Sequence, residues 1–362
     1  MPFDSRRQRL RRTFDASEID GVIVSSPTNV AYLTGFTGED SILLITAERA
    51  VVVSDGRFSV QLAQECPDLE AEIRAIGKPL PEAVGELAKS LGVRRWGFES
   101  QATTVAEFDR LREAATGVGL VPKQGLVERL RMIKDEGEIA AIREAVAIAE
   151  RAFLDLRGWL RFGVTEKAAA DFLESALRAQ GASAASFAPI VAVGPRAALP
   201  HARPTATTRL GPNDLVLVDW GARGHAYVSD LTRVLTTGKV TPEFEAVYRA
   251  VLEAHGRAIA AIRPGAEARS IDLAARSVLE GAGFGPHFNH SVGHGIGRVV
   301  HESPMLRHVS EVVLEPGMVV TIEPGAYFPE WCGVRIEDDV LVTGDGAEVL
   351  STLPRSFDSA AL

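Results

Sequence analysis

Two stretches of this chain repeat one layout. Leu215-Val-Leu-Val-Asp219-Trp-Gly221-Ala is an apolar run that reaches an acid and then Gly and Ala, and Met318-Val-Val-Thr-Ile-Glu323-Pro-Gly325-Ala does the same later in the chain. Each continues through a loop into a second acid-bearing run, Val228-Ser-Asp230-Leu-Thr and Val334-Arg-Ile-Glu337-Asp-Asp-Val, so the acids stand 11 residues apart in the first block (219 to 230) and 14 in the second (323 to 337). Short apolar runs rich in Val and Ile read as buried strands. The repeat therefore predicts two similar hairpins in a pseudo-twofold antiparallel sheet, with four carboxylates converging between the halves. An unpaired buried carboxylate costs several kcal/mol or shifts its pKa until it is neutral, and four together repel one another. Divalent cations resolve the conflict: about four negative charges match two such ions.

A histidine completes the pattern. In His290-Ser-Val-Gly-His294-Gly-Ile-Gly297, three glycines flank His294 and clear side chains so that backbone and substrate can approach it. Carboxylate and imidazole donors suit Mn, Co, Fe or Zn rather than a thiolate site. Taken singly, each motif has an ordinary explanation. Asp219 reads equally as a turn cap, Asp230 as a solvated turn acid and Glu337-Asp-Asp339 as a surface charge run. The Gly run matches neither a dinucleotide fingerprint nor a phosphate loop. The ordered set Asp219, Asp230, His294, Glu323 and Glu337, each beside a glycine or a β-run, is what carries the prediction of a metal centre.

The rest of the chain divides around this set. Residues 1–125 alternate extended and helical patterns, with a hairpin expected over Ile42–Ser54, which predicts a compact α/β domain. No histidine occurs before His201, so this half reads as a scaffold, oligomer contact or lid rather than a metal-binding domain. Residues 126–362 open with a helix predicted from Leu126 to Arg157, weakened at Gly137. Thr165 is placed as the cap of the next. Further helices are expected over Pro242–Ile262 and Ala268–Gly281, with strands and Gly/Pro loops elsewhere. Arg6 to Arg12 reads as the exposed face of a first helix; no apolar stretch follows it, so a secretory signal is not expected. The net charge of −9 argues against a nucleic-acid partner, and no apolar run approaches the roughly 18 residues of a membrane span. Two cysteines are too few for a disulfide framework, which fits a reducing, cytoplasmic setting.

At this point the blocks resemble a known family. Asp219-Trp-Gly-Ala with Ser229-Asp230-Leu-Thr-Arg233, then His290 to Gly297 with Val300-His301-Glu302, then Thr321-Ile-Glu323-Pro-Gly325, then Val334-Arg335-Ile-Glu337-Asp338 look like the successive motifs of the pita-bread metallopeptidases, of the prolidase and aminopeptidase P branch. Arg131-Met-Ile-Lys134 and Glu138-Ile-Ala resemble the first helix of that catalytic domain. Tyr32-Leu-Thr-Gly35-Phe-Thr-Gly38 and Ser54-Asp-Gly-Arg57 look like the creatinase-type N-terminal domain. The resemblance implies an α/β N-terminal domain over 1–125 and an α+β pita-bread catalytic domain over 126–362. It further implies a dinuclear centre holding two divalent ions, Mn2+ with Co2+ or Zn2+ as alternatives. Asp219 would bind one ion, Asp230 and Glu337 would bridge, and His294 and Glu323 would bind the other. All five positions are present, which disfavours creatinase-like relatives and a non-catalytic peptide-binding module.

The same resemblance assigns outer residues. His201, in Leu199-Pro-His201-Ala-Arg203, would contact the reacting carbonyl; His290 and His301 would line the proline side; Arg335 would orient a carboxylate ligand. His225, His255, His287 and His308 are left as structural or surface groups. Val234 and Arg298 depart from the family pattern, and Arg298 is expected to reshape the pocket rim. The implied reaction is hydrolysis of the Xaa–Pro bond, with Glu323 moving the water proton to the leaving nitrogen and His201 stabilising the oxyanion. The partners implied are proline-containing di- or oligopeptides, and a second copy of the chain in a homodimer. Dipeptidase is preferred over aminopeptidase. Arg196, Arg203, Arg298 and Arg307 flank the motifs as candidate partners of a substrate carboxylate, and the sequence does not place them.

Overall fold

The computed structural model describes residues 2–362 and divides into two units, Met1–Arg131 and Met132–Leu362. The first is built on one six-stranded mixed sheet. Its strands are β1 (Gly21–Val24), β2 (Ile42–Thr46), β3 (Ala50–Ser54), β4 (Glu70–Ile73), β5 (Arg95–Glu99) and β6 (Gly119–Lys123), in the order β4-β3-β2-β1-β5-β6. The β2–β3 pair is the expected hairpin. Side chains alternate across a strand, and here both faces are covered. Val22, Val24, Leu43, Ile45 and Val52 pack with Leu10 and Leu33, while Ile23, Leu44, Val53 and Trp96 pack with Val84 and Leu111 on the opposite face. Leu126 and Val127 lie in the first of these cores, so the unit runs past the expected boundary at 125/126.

Its first helix, Pro2–Arg11, differs from expectation on one face. Arg6 and Arg7 are buried, with Nη1 of each donating to the carbonyls of Tyr32 and Leu33 at 3.1 Å. These carbonyls belong to the last turn of the helix Pro27–Thr34, where backbone acceptors lack helical partners. Sequence periodicity cannot report such an acceptor, so the exposed-face reading fails there.

In the second unit the predicted long helix is broken. A short helix, Glu128–Met132, belongs largely to the first unit, and Glu136–Trp159 begins the second. The break lies at 133–135 rather than at Gly137. Asp135 is the cause: its side chain accepts from Glu138 N at 2.9 Å while the Glu138 carboxylate accepts from Asp135 N at 3.1 Å, a reciprocal cap. Thr165 caps Glu166–Ala179 as expected.

The two repeated blocks form hairpins of one plan. Leu215–Trp220 pairs antiparallel with Leu231–Thr236, and Val319–Ile322 pairs antiparallel with Asp338–Val342. Each loop contains a smaller hairpin, Ala222–Gly224 with Tyr227–Val228 and Gly325–Phe328 with Cys332–Arg335. Asp230 and Glu337 each immediately precede the returning strand. A bridge between Thr232 and Glu337 links the two halves. Helices Glu136–Trp159 and Glu166–Ala179 pack with Val216, Val218 and Trp220; Pro242–Ala261 and Ala268–Gly281 pack in the core holding Leu215, Leu217 and Val320. Asp219 shares the period of Leu215 and Leu217, which turns it to the face opposite Val218.

Candidate metal centre and catalytic cavity

Asp219, Asp230, His294, Glu323 and Glu337 line one cavity of about 720 Å³ in the second unit, together with His201, His290, His301 and Arg335. One donor atom each of Asp230, His294 and Glu337 falls within 4.8 Å of the others. His294 Nε2 lies 3.5 Å from Glu323 Oε1 and 3.8 Å from Asp230 Oδ2. The other ring nitrogen, Nδ1, is 3.0 Å from the Gly295 carbonyl. A carbonyl only accepts, so this contact places the proton on Nδ1 and leaves the Nε2 lone pair facing the carboxylates.

The carboxylates are held from behind. Thr232 Oγ1 donates to Glu337 Oε2 at 2.7 Å, and Arg335 Nε donates to Thr232 Oγ1 at 3.1 Å. Arg335 Nη2 donates to Asp219 Oδ2 at 2.6 Å, and Nη1 donates to the Tyr327 hydroxyl at 2.8 Å. Asp219 Oδ1 is buried with no hydrogen-bond partner among the described residues.

The electrostatics are those of four carboxylates in one cavity with one paired guanidinium, Arg335, among them. Burial pushes the Asp230 carboxyl well above the usual range, and Glu337 and Asp219 add repulsion. Glu337 is raised by burial and then by Glu323 and Asp219. Burial raises Glu323 to about 8 against the pull of Arg335. Asp219 is raised as well, by burial against the same guanidinium. Burial lowers His294 to about 4, so its ring is neutral at pH 7. Neutral imidazole, clustered carboxylates and an orphaned buried oxygen on Asp219 fit hard or borderline divalent cations. Cys332 takes no part: it is fully buried, and burial raises its thiol to about 12.

Residues 140–344 match metallopeptidase family M24. The chain belongs to that family. Residues 6–133 match the Creatinase/Prolidase N-terminal domain, which accounts for the first unit of this M24 protein. An uncharacterized peptidase of Bacillus subtilis is 38% identical over 97% of this chain and 98% of its own length. The structure of an Xaa-Pro dipeptidase from Bacillus anthracis superposes with a TM-score of 0.95 at 37% identity, covering 99% of this chain and 100% of that one. The X-Pro aminopeptidase structure from Thermotoga maritima gives 0.89 at 35% identity, covering 97% and 99%. The architecture of the M24 chain is thus the pita-bread fold with its creatinase-type N-terminal domain.

Around the M24 centre the outer residues fall into two groups. The His301 ring lies tilted against that of His294, centroids 4.2 Å apart, and His290 Nε2 lies 3.0 Å from the Tyr327 hydroxyl. Arg203 and Arg307 line the cavity. Arg196 does not: it is paired with Glu166. Arg298 is not at the rim either, contrary to expectation; its guanidinium sits over the Tyr227 ring, 5.4 Å from the centroid, outside the cavity lining. A cation–π contact offers that guanidinium a partner away from the cavity. Thr232 and Tyr327 were not singled out from the sequence. Thr232 could have been: it lies two residues after Asp230, on the same side of a strand. Tyr327 left no signal, since its partners His290 and Arg335 are assembled only by the fold.

The glycines beside His294 act on backbone rather than on substrate. A Cβ at Gly293 would stand 1.9 Å from Thr321 O, and one at Gly295 would stand 2.3 Å from Ser303 O. They let neighbouring strands close on the histidine strand. Gly293→Ala is therefore expected to destabilise the protein by about 1–3 kcal/mol or more and to weaken metal binding with it. Urea denaturation checks this; unchanged stability contradicts it.

Proposed function

We propose that this M24 chain hydrolyses Xaa–Pro bonds as an Xaa-Pro dipeptidase, with two divalent ions held by Asp219, Asp230, His294, Glu323 and Glu337. The observation that carries the reading is the gathering of four carboxylates and a neutral imidazole in one cavity that also holds His201, His290 and His301. When bound, such ions polarise a carbonyl and lower the pKa of a water. Asp219, Asp230, His294, Glu323 and Glu337 would hold the ions, with Asp230 and Glu337 the residues offered to both. Glu323 then accepts the proton of the attacking water and returns it to the leaving proline nitrogen. His201 donates to the carbonyl oxygen as charge develops, a contact of a kind worth a few kcal/mol. His290 and His301 flank the ring, whose missing N–H and fixed φ make the bond a poor fit for a site that grips extended main chain. Arg335 holds one oxygen of Asp219 and leaves the other for metal.

The dipeptidase preference rests on Arg203 and Arg307. Both line the cavity, and neither has an ion-pair partner among the described residues. They offer cations to a substrate carboxylate. Hydrolysis of Ala-Pro without hydrolysis of Ala-Pro-Ala is expected. Arg307→Ala together with Arg203→Ala is expected to raise KM for Ala-Pro by roughly 10- to 100-fold, the loss of a charged hydrogen bond. The reverse pattern, turnover of the tripeptide alone, makes the protein an aminopeptidase.

Mn2+ is proposed as the metal over Co2+ or Zn2+, a homodimer as the assembly and the cytoplasm as the location. Both cysteines are free and buried, which suits a reducing compartment. No helix of the described residues is long and apolar enough to cross a membrane. The net charge of −9 supports peptide rather than nucleic-acid partners.

A further inference from the structure

Glu166 is a carboxylate with more partners than its helix requires. It opens the helix Glu166–Ala179, where an acid is favourable at the surface, yet it is 0% exposed. Its Oε1 accepts from Val193 N and Arg196 Nε, both at 2.9 Å. Its Oε2 accepts from Thr205 N, Thr205 Oγ1 and Arg196 Nε, all at 2.9 Å. Arg196 Nη2 continues to the Arg203 carbonyl at 2.6 Å. Burying such a charge costs several kcal/mol unless its lone pairs are filled, and here every filling donor lies between Val193 and Thr205.

That segment carries Pro200, His201, Ala202, Arg203 and Pro204, which line the cavity. His201 and Arg203 are themselves exposed. The segment is also braced behind, where a Cβ on Gly333 would stand 1.8 Å from Ala197 O, so strand and loop touch backbone to backbone. One buried carboxylate thus closes both ends of the loop, and its arginine ties the middle.

We infer that Glu166, acting with Arg196, is a positioning residue that sets where His201 and Arg203 stand against the substrate. It touches neither the metal ligands nor the cavity. Its effect on turnover rests on the peptidase reading above; its effect on the loop does not.

The test uses the whole protein. Glu166→Gln keeps the shape and removes the charge, and Arg196→Ala, at a part-exposed side chain, guards against a variant that fails to fold. Hydrogen exchange is expected to speed up by about tenfold at the Val193 and Thr205 amides in either variant, with no change over 215–236 or 319–342. On Ala-Pro, kcat is expected to fall by about tenfold with the bound Mn2+ per chain unchanged, and Arg196→Lys to recover part of the loss. Glu166→Gln combined with His201→Ala should lose less than the product of the two single losses, because coupled sites are not additive. Unchanged exchange overturns the inference. So does an additive double variant, or a fall in bound metal that matches the fall in activity. A wild-type chain that cleaves no Xaa-Pro peptide refutes the proposed activity, and the exchange measurement then decides the clasp by itself.

Discussion

Alanine at Glu337, or at Asp230, is expected to abolish hydrolysis even after divalent metal is restored. The expected loss exceeds about 10³-fold, beyond the 10- to 100-fold typical of changing an outer partner of a metal ligand. Both residues stand where the two hairpins meet, each just before a returning strand. The two acids that follow Glu337 are each tied elsewhere by one oxygen: Asp339 Oδ2 accepts from Asp230 N, and Asp338 Oδ1 accepts from Arg233 Nη2. Kinetics on Ala-Pro with metal analysis of each variant checks this, and retained turnover removes the bridging assignment. Metal removal carries its own signature. The Glu323 carboxyl is raised in the folded chain to about 8, and Asp230 and Glu337 are raised with it. A raised acid holds extra protons when folded, so its stability is present below the usual carboxylate pKa of about 4.3 and is lost as pH rises through about 8. Metal replaces those protons. At a concentration a hundredfold above the Kd at pH 8 it is expected to stabilise the chain by about 2.7 kcal/mol, and the same concentration is expected to give a smaller melting shift at pH 5, where protons compete for the ligands. Equal shifts at the two pH values contradict the coupling.

Asp338→Ala is expected to cost about 3–5 kcal/mol of stability, the range for breaking a buried ion pair from one side. Asp338 is 0% exposed. Its Oδ1 accepts from Arg233 Nη2 at 2.7 Å and from Ser351 Oγ; its Oδ2 lies 2.6 Å from Arg355 Nε and 3.1 Å from His255 Nε2. Removing the carboxylate strands two guanidiniums, one of them almost fully buried. Burial by itself would raise this carboxyl, but Arg233, His255 and Arg355 hold it well below the usual range. A depressed acid contributes stability above its unfolded pKa of about 3.9 and loses it as pH falls through the folded value. The deficit of the variant should therefore be constant from pH 8 to pH 5 and narrow only in strong acid. Arg233 also donates to the Thr232 and Glu337 carbonyls, so the same variant should bind Mn2+ more weakly. A denaturation difference below about 1 kcal/mol, within the range of an exposed pair, rules out this account.

Much of the fold was legible because its signals are local. Alternating or continuous Val and Ile runs mark strands, and Thr165 caps its helix within one turn. The repeated acid-after-strand layout predicted two hairpins and where their carboxylates would meet. Errors arose where a partner lay far away in sequence. Arg6 and Arg7 turn inward to carbonyls 26 residues on. Arg298 finds an aromatic ring outside the cavity lining, and the glycines beside His294 answer to strands that sequence spacing does not bring together. The helix break at Asp135 is a different kind of error, since the reciprocal cap with Glu138 was there to be read.

Residue order alone determined which side chains could form the centre, because a buried acid beside a strand needs a counter-charge wherever the strand goes. Only the tertiary structure decided which oxygen of Asp219 is left without a partner, which arginines reach the cavity, and that Glu166 ties the loop bearing His201. Those facts depend on distances between segments brought together by packing, and a pattern with a period of two or 3.6 residues holds no record of them.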